Sequence, residues 1–219
     1  MFGRPRAALL LYAVAMGYLE AAVVVYLRAI YYPEGFSFPL RPMDPGILGV
    51  EIGREAATVV MIFAVAWAAA RSGWQTLIGF ALVFGVWDIA YYAGLQILLG
   101  WPASLFEPDV LFLIPIVWVG PVWAPSLIAL AMSSSAWALW PMDYEVIAPR
   151  AWEWSLLLAG CGVLLATFVV PVALAGVTGL GEGVSVPAVG YPWWGWIAGE
   201  STAVFVAVRW WMRGRTTTL

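Results

Sequence analysis

Apolar residues run along the chain in blocks of about twenty, separated by short stretches rich in proline, glycine and arginine. Blocks such as AALLLYAVAMGYLEAAVVVYL and TLIGFALVFGVWDIAYYAGLQILL approach or exceed the roughly 20 residues that cross about 30 Å of hydrocarbon as a helix. The pattern predicts an all-α, polytopic membrane bundle of about six transmembrane helices, forming a single transmembrane domain over residues 1–219. The spans fall near 8–29, 48–70, 75–99, 110–138 with interruptions, 154–178 and 193–212. A cleaved leader before a soluble domain does not fit, because hydrophobic blocks recur towards the C-terminus and the first lacks a small-residue cleavage site.

The fourth span is the irregular one. LFLIPIVWVGPVWAPSLIALAMSSSAWALW contains Pro115, Pro121 and Pro125, each of which removes a backbone donor and obstructs the preceding helical turn. The expectation is a proline-interrupted helix, or an interfacial or re-entrant piece followed by a full span from about residue 122. Ser133, Ser134 and Ser135 are expected to bond to a neighbouring helix or to their own preceding turn. In the fifth span, Gly160, Gly162, Pro171 and Gly176 suit close helix packing. The linkers YYPEGFSFPLRPMDPG and GWPASLFEPD read as interfacial, being rich in residues that interrupt helices.

Composition agrees with the pattern. The chain is 63% apolar and only 11% charged, against about 25% charged in soluble domains. Histidine is absent, which excludes histidine-ligated haem, the commonest zinc sites and Ser-His-Asp catalysis. No cofactor, metal site or catalytic residue is predicted. The lone Cys161 offers no intramolecular disulfide, and the ten basic residues, all arginine, form no tract for nucleic acid. Many of the 15 tryptophans lie near span ends, as aromatic belts do.

Arginine also sets the orientation. With six spans, Arg4, Arg6, Arg71, Arg150, Arg209, Arg213 and Arg215 share one side, against Arg28, Arg41 and Arg54 opposite. The positive-inside rule then places both termini in the cytoplasm of a bacterial-type inner membrane.

Against this background the charges at membrane depth stand out. Glu51 and Glu55 in EIGREAA are four residues apart and share a helix face, with Arg54 adjacent to it. Pairing within this cluster is the least costly arrangement, since a guanidinium between two carboxylates offsets their repulsion. Glu20, Asp88 and Glu200 have no cation close in sequence and must pair across helices, reach water or hold a proton. Arg28 marks the outer rim of this layer. Tyr91 and Tyr92, three and four residues beyond Asp88, are expected to continue its hydrogen-bonded network.

Three functions fit such a layer. The first is an accessory or scaffold subunit of a larger membrane assembly, whose partners are lipids and other membrane subunits. The second is a translocator of a proton, a cation or a small polar solute, supported by the excess of acids over arginines. The third is a lipid-modifying membrane enzyme; it has no recognisable nucleophile or metal signature, and a non-enzymatic role is preferred.

Overall fold

The computed structural model describes residues 3–114, 116–175 and 190–216. The chain is mostly helical. Helices α1 (Arg4–Tyr31), α2 (Pro45–Ala69), α3 (Gly73–Leu99) and α6 (Ala151–Leu174) are long and apolar enough to cross a membrane. Local sequence sets their ends. Pro5 occupies the first turn of α1, where its missing N–H has no helical partner to lose. Asp44 caps α2 by accepting from the amides of Gly46 (2.9 Å) and Ile47 (3.3 Å). Ser72 accepts from Gln75 N–H at the start of α3, and Gly100 ends that helix at φ +64°.

The region expected to be an interrupted fourth helix departs from the all-α reading. Residues Pro108–Phe112 (β1) and Trp118–Pro121 (β2) form an antiparallel hairpin, pairing Asp109 with Gly120 and Val110 with Val119. The physical reason is visible in DVLFLIPIVWVGP. Aromatic and β-branched residues favour extended backbone, and prolines fall at the outer ends of both strands, where the ladder loses least. Helix α4 (Trp123–Leu139) begins only afterwards, with Pro125 in its first turn. Pro115 lies outside the described residues. A short helix α5 (Tyr144–Ile147) leads to α6, and α7 (Trp193–Thr216) completes the order. Gly176 and the end of the expected fifth span also lie outside the described residues.

Helix α3 is the centre of the bundle, packing against α1, α2 and α4, while α6 pairs with α7 and α4 touches α7. Small residues permit these approaches. A Cβ on Gly17 would stand 2.8 Å from the Trp87 carbonyl, and one on Gly85 would stand 2.5 Å from the Ala129 carbonyl. Gly160 meets the Gly199 carbonyl in the same way between α6 and α7, so this glycine packs as expected. Ser133 donates to Leu130 in its own preceding turn.

The buried core runs through Leu9, Ile62, Leu82, Val83 and Val206 and ends in an indole cluster. There Trp74 donates to the Met142 carbonyl (3.0 Å), and Trp210 packs on Trp74 and Trp154 with centroids 5.5 and 4.8 Å away. The hairpin lies at the other end of α3, where Val117, Val119 and Val172 form a separate apolar cluster.

Candidate functional site

Helices α1, α2 and α3 and the hairpin bring most of the charged residues to one layer. Within α2, Arg54 Nε donates to Glu51 Oε2 at 2.8 Å, the pairing expected from their spacing. Its Nη1 forms an ion pair with Glu20 of α1. That contact answers how Glu20 is neutralised: the cation comes from the neighbouring helix. Thr58, one turn beyond Arg54, adds a longer donation to Glu20 Oε2 at 3.4 Å. Glu55 turns to the hairpin and accepts from the Leu113 amide at 2.9 Å, satisfying a backbone donor that the end of β1 exposes.

Arg28 does more than mark a rim. Its guanidinium lies between the rings of Trp101 (3.9 Å) and Phe36 (4.3 Å) and faces Asp109 at 3.7 Å. Aromatic faces attract the cation while shielding it from water. Asp109 also accepts from Tyr92 Oη at 3.1 Å. Burial pushes the Asp109 carboxyl up to about 6, against the opposing pull of Arg28 and of the Tyr92 hydroxyl. Thus Tyr92 serves Asp109 on the hairpin, whereas the sequence suggested Asp88 as its partner. The reason is tertiary: the hairpin reaches over the end of α3 and offers a carboxylate that helix periodicity alone cannot reveal.

Two adjoining chambers result. The inner one, about 150 Å³, is lined by Glu20, Arg54, Glu55, Asp88 and Tyr91 and by a wall of aromatic rings. The outer one, about 140 Å³, is lined by Arg28, Arg41, Glu51 and Asp109. Arg54, Glu55 and Tyr91 line both, together with Val24 and Val110, so these five residues form the partition.

Asp88 is the unresolved group. It lines the inner chamber but makes no hydrogen bond or ion pair with the described residues, and its Oδ2 is closed off from solvent. The indole N–H groups of Trp87 and Trp118, in the wall of the same chamber, likewise find no acceptor among the described residues. Glu200 is not brought into the layer. It lies on α7, partly exposed, with no bond to the described residues.

Sequence reasoning missed Asp109, Thr58 and a second charged centre. Glu153 at the start of α6 is fully buried. It accepts from Arg209 Nε (3.1 Å), Trp210 Nε1 (3.2 Å), Arg213 Nη2 (2.5 Å) and the Arg150 amide (2.9 Å). The available signal was an acid in a first helical turn and two arginines four residues apart in α7, Arg209 and Arg213. With every direction around the carboxylate occupied by a donor, this centre ties α6 to α7 and leaves no room for a ligand.

Comparisons with protein-family models, curated proteins and solved structures give no match.

Proposed function

We propose that the protein binds a proton, a cation or a small polar solute at membrane depth and passes it between the two chambers. The observation that carries this reading is Asp88, an unpartnered carboxyl lining a cavity that adjoins a second one. An ionised carboxylate removed from water is costly without a counter-charge. A group so placed therefore takes up a proton or a cation from outside, which is what a transport site must do. The partition suits the same role, because Arg54 is held by acids of both α1 and α2 and its release from Glu20 would join the chambers. This reading moves translocation ahead of the accessory-subunit role that composition favoured.

The membrane arrangement proposed with it has six crossings, α4 and α7 joining the four long apolar helices. Seventeen residues of α4 extend about 25 Å as helix, close to a hydrocarbon core, and α7 is longer. The indole cluster joins the start of α3 to α6 and α7, and the hairpin joins the far end of α3 to α6, as alternating helices require. Both termini then lie on the arginine-rich cytoplasmic side of an inner membrane.

The test is flux in sealed proteoliposomes, with an internal pH dye for protons and imposed sodium, potassium or organic ammonium gradients for cations. Wild type is expected to dissipate at least one gradient and Asp88→Asn to lose that flux. Unchanged flux in the variant defeats the proposal.

One observation favours a role in assembly as well. Glu200 is a membrane-depth carboxylate at a partly exposed position, and a donor from another membrane subunit would satisfy it. Native mass measurement after gentle solubilisation tests this: a defined heterocomplex that Glu200→Gln dissociates supports it, and a lone chain refutes it.

A further inference from the structure

Charge pairing shows what the inner chamber lacks. Arg54 is engaged by Glu20 and Glu51, and Arg28 faces Asp109. Glu55 has a backbone amide and lies beside Arg54, whose contacts are to the other two acids. Asp88 has nothing. The chamber is therefore short of positive charge at its Asp88 end.

Its walls say which kind. Phe84 packs on Trp87 (5.1 Å) and Phe112 (6.3 Å), Phe112 on Trp118 (5.3 Å), and Trp87 on Tyr91 (6.5 Å), each distance between ring centroids. Five aromatic residues thus form a connected surface beside a lone carboxylate. Hard inorganic cations are held by several converging oxygens, and no group of three acids among the described residues is spaced to do so. Aromatic faces instead favour large, weakly hydrated organic cations. The protein already uses this chemistry where Arg28 lies between Phe36 and Trp101. A volume of about 150 Å³ matches cavities that accept a ligand the size of benzene.

We infer that the inner chamber is a binding site for a small organic ammonium ion, held by Asp88 and by the aromatic wall of Phe84, Trp87, Tyr91, Phe112 and Trp118. This rests on the transport reading above and names its substrate class. A quaternary ammonium such as choline has the charge and the size that the chamber fits.

The experiment titrates choline chloride into the full chain in lipid nanodiscs at fixed pH, with sodium chloride at equal ionic strength as control. Intrinsic tryptophan fluorescence and retained radiolabelled choline are read together. Saturable binding of about one choline per chain is expected, absent with sodium. Asp88→Asn should weaken it about tenfold or more. Trp118→Leu should weaken it about fivefold, and Trp118→Phe, which keeps an aromatic face, should retain most of it. If Asp88→Asn does not yield a monodisperse protein, the Trp118 pair carries the test. Equal affinity in Trp118→Leu and wild type overturns the inference, as does the absence of saturable choline binding. Proton or sodium flux that depends on Asp88, without choline binding, overturns the substrate class and leaves translocation standing; loss of both defeats the two together.

Discussion

Arg54 is the residue whose replacement tests the layer most directly. The Arg54→Gln variant keeps a side chain of similar reach and some donor capacity, but removes the cation that Glu20 and Glu51 share. Removing one partner from a buried ion pair costs about 3–5 kcal/mol, because the other charge is left without compensation. Arg54 is about a fifth exposed, while Glu20 and Glu51 are nearly buried, so a loss of about 3 kcal/mol is expected. Glu20→Gln is milder, about 1–2 kcal/mol, since Arg54 retains Glu51. In the double variant the carboxylate that Arg54→Gln strands on α1 is also gone. Its cost should fall short of the sum by about 1.5–2 kcal/mol, a coupling within the range for residues in one ionic network. The assay is reversible unfolding in mixed micelles under graded denaturing detergent, followed by tryptophan fluorescence, for wild type, both single variants and the double. Additivity within about 0.5 kcal/mol would refute the claim that Arg54 joins α1 to α2 through Glu20.

Three further outcomes follow from the same contacts. Glu153→Gln should destabilise the protein by about 3 kcal/mol, since two arginines lose their shared carboxylate; thermal melting that stays at the wild-type temperature would contradict the α6–α7 tie. Gly85→Leu should abolish the folded species on size exclusion, because even a Cβ there meets the Ala129 carbonyl, whereas Gly162→Ala, with open space around it, should elute as wild type. Asp109, held at about 6 when folded against about 3.9 when unfolded, binds more protons in the folded state. Its contribution to stability is therefore present below pH 4 and lost as pH rises through 6, by about 3 kcal/mol. The difference between wild-type and Asp109→Asn melting profiles should carry that slope, and parallel profiles would refute it.

Much of this molecule can be read from local sequence. Membrane class follows from composition and block length, because hydrocarbon accepts only segments that satisfy their own backbone. The pairing of Arg54 with Glu51 follows from helix spacing, since residues three apart are neighbours whatever the tertiary fold. The capping of α2 by Asp44 is similarly local. The hairpin of β1 and β2 is less accessible: hydrophobicity sufficient for a span conceals an extended segment, and Pro121, which suits a helix interruption, stands at the end of β2.

What only tertiary structure decided is which charges meet. Glu20 finds Arg54 across α1 and α2, Tyr92 finds Asp109 because the hairpin folds over α3, and Glu153 finds Arg209 and Arg213 more than fifty residues away. The pattern of apolar and charged residues predicts that Glu20, Arg54, Glu55 and Asp88 fall within apolar blocks and must be satisfied. Partner identity depends on the rotation of each helix about its axis and on where a loop returns. Those are properties of tertiary packing, such as the close approach of Gly17 to the α3 backbone, and they have no signature within any single segment. Asp88 is the residue for which folding supplies a cavity and no partner among the described residues.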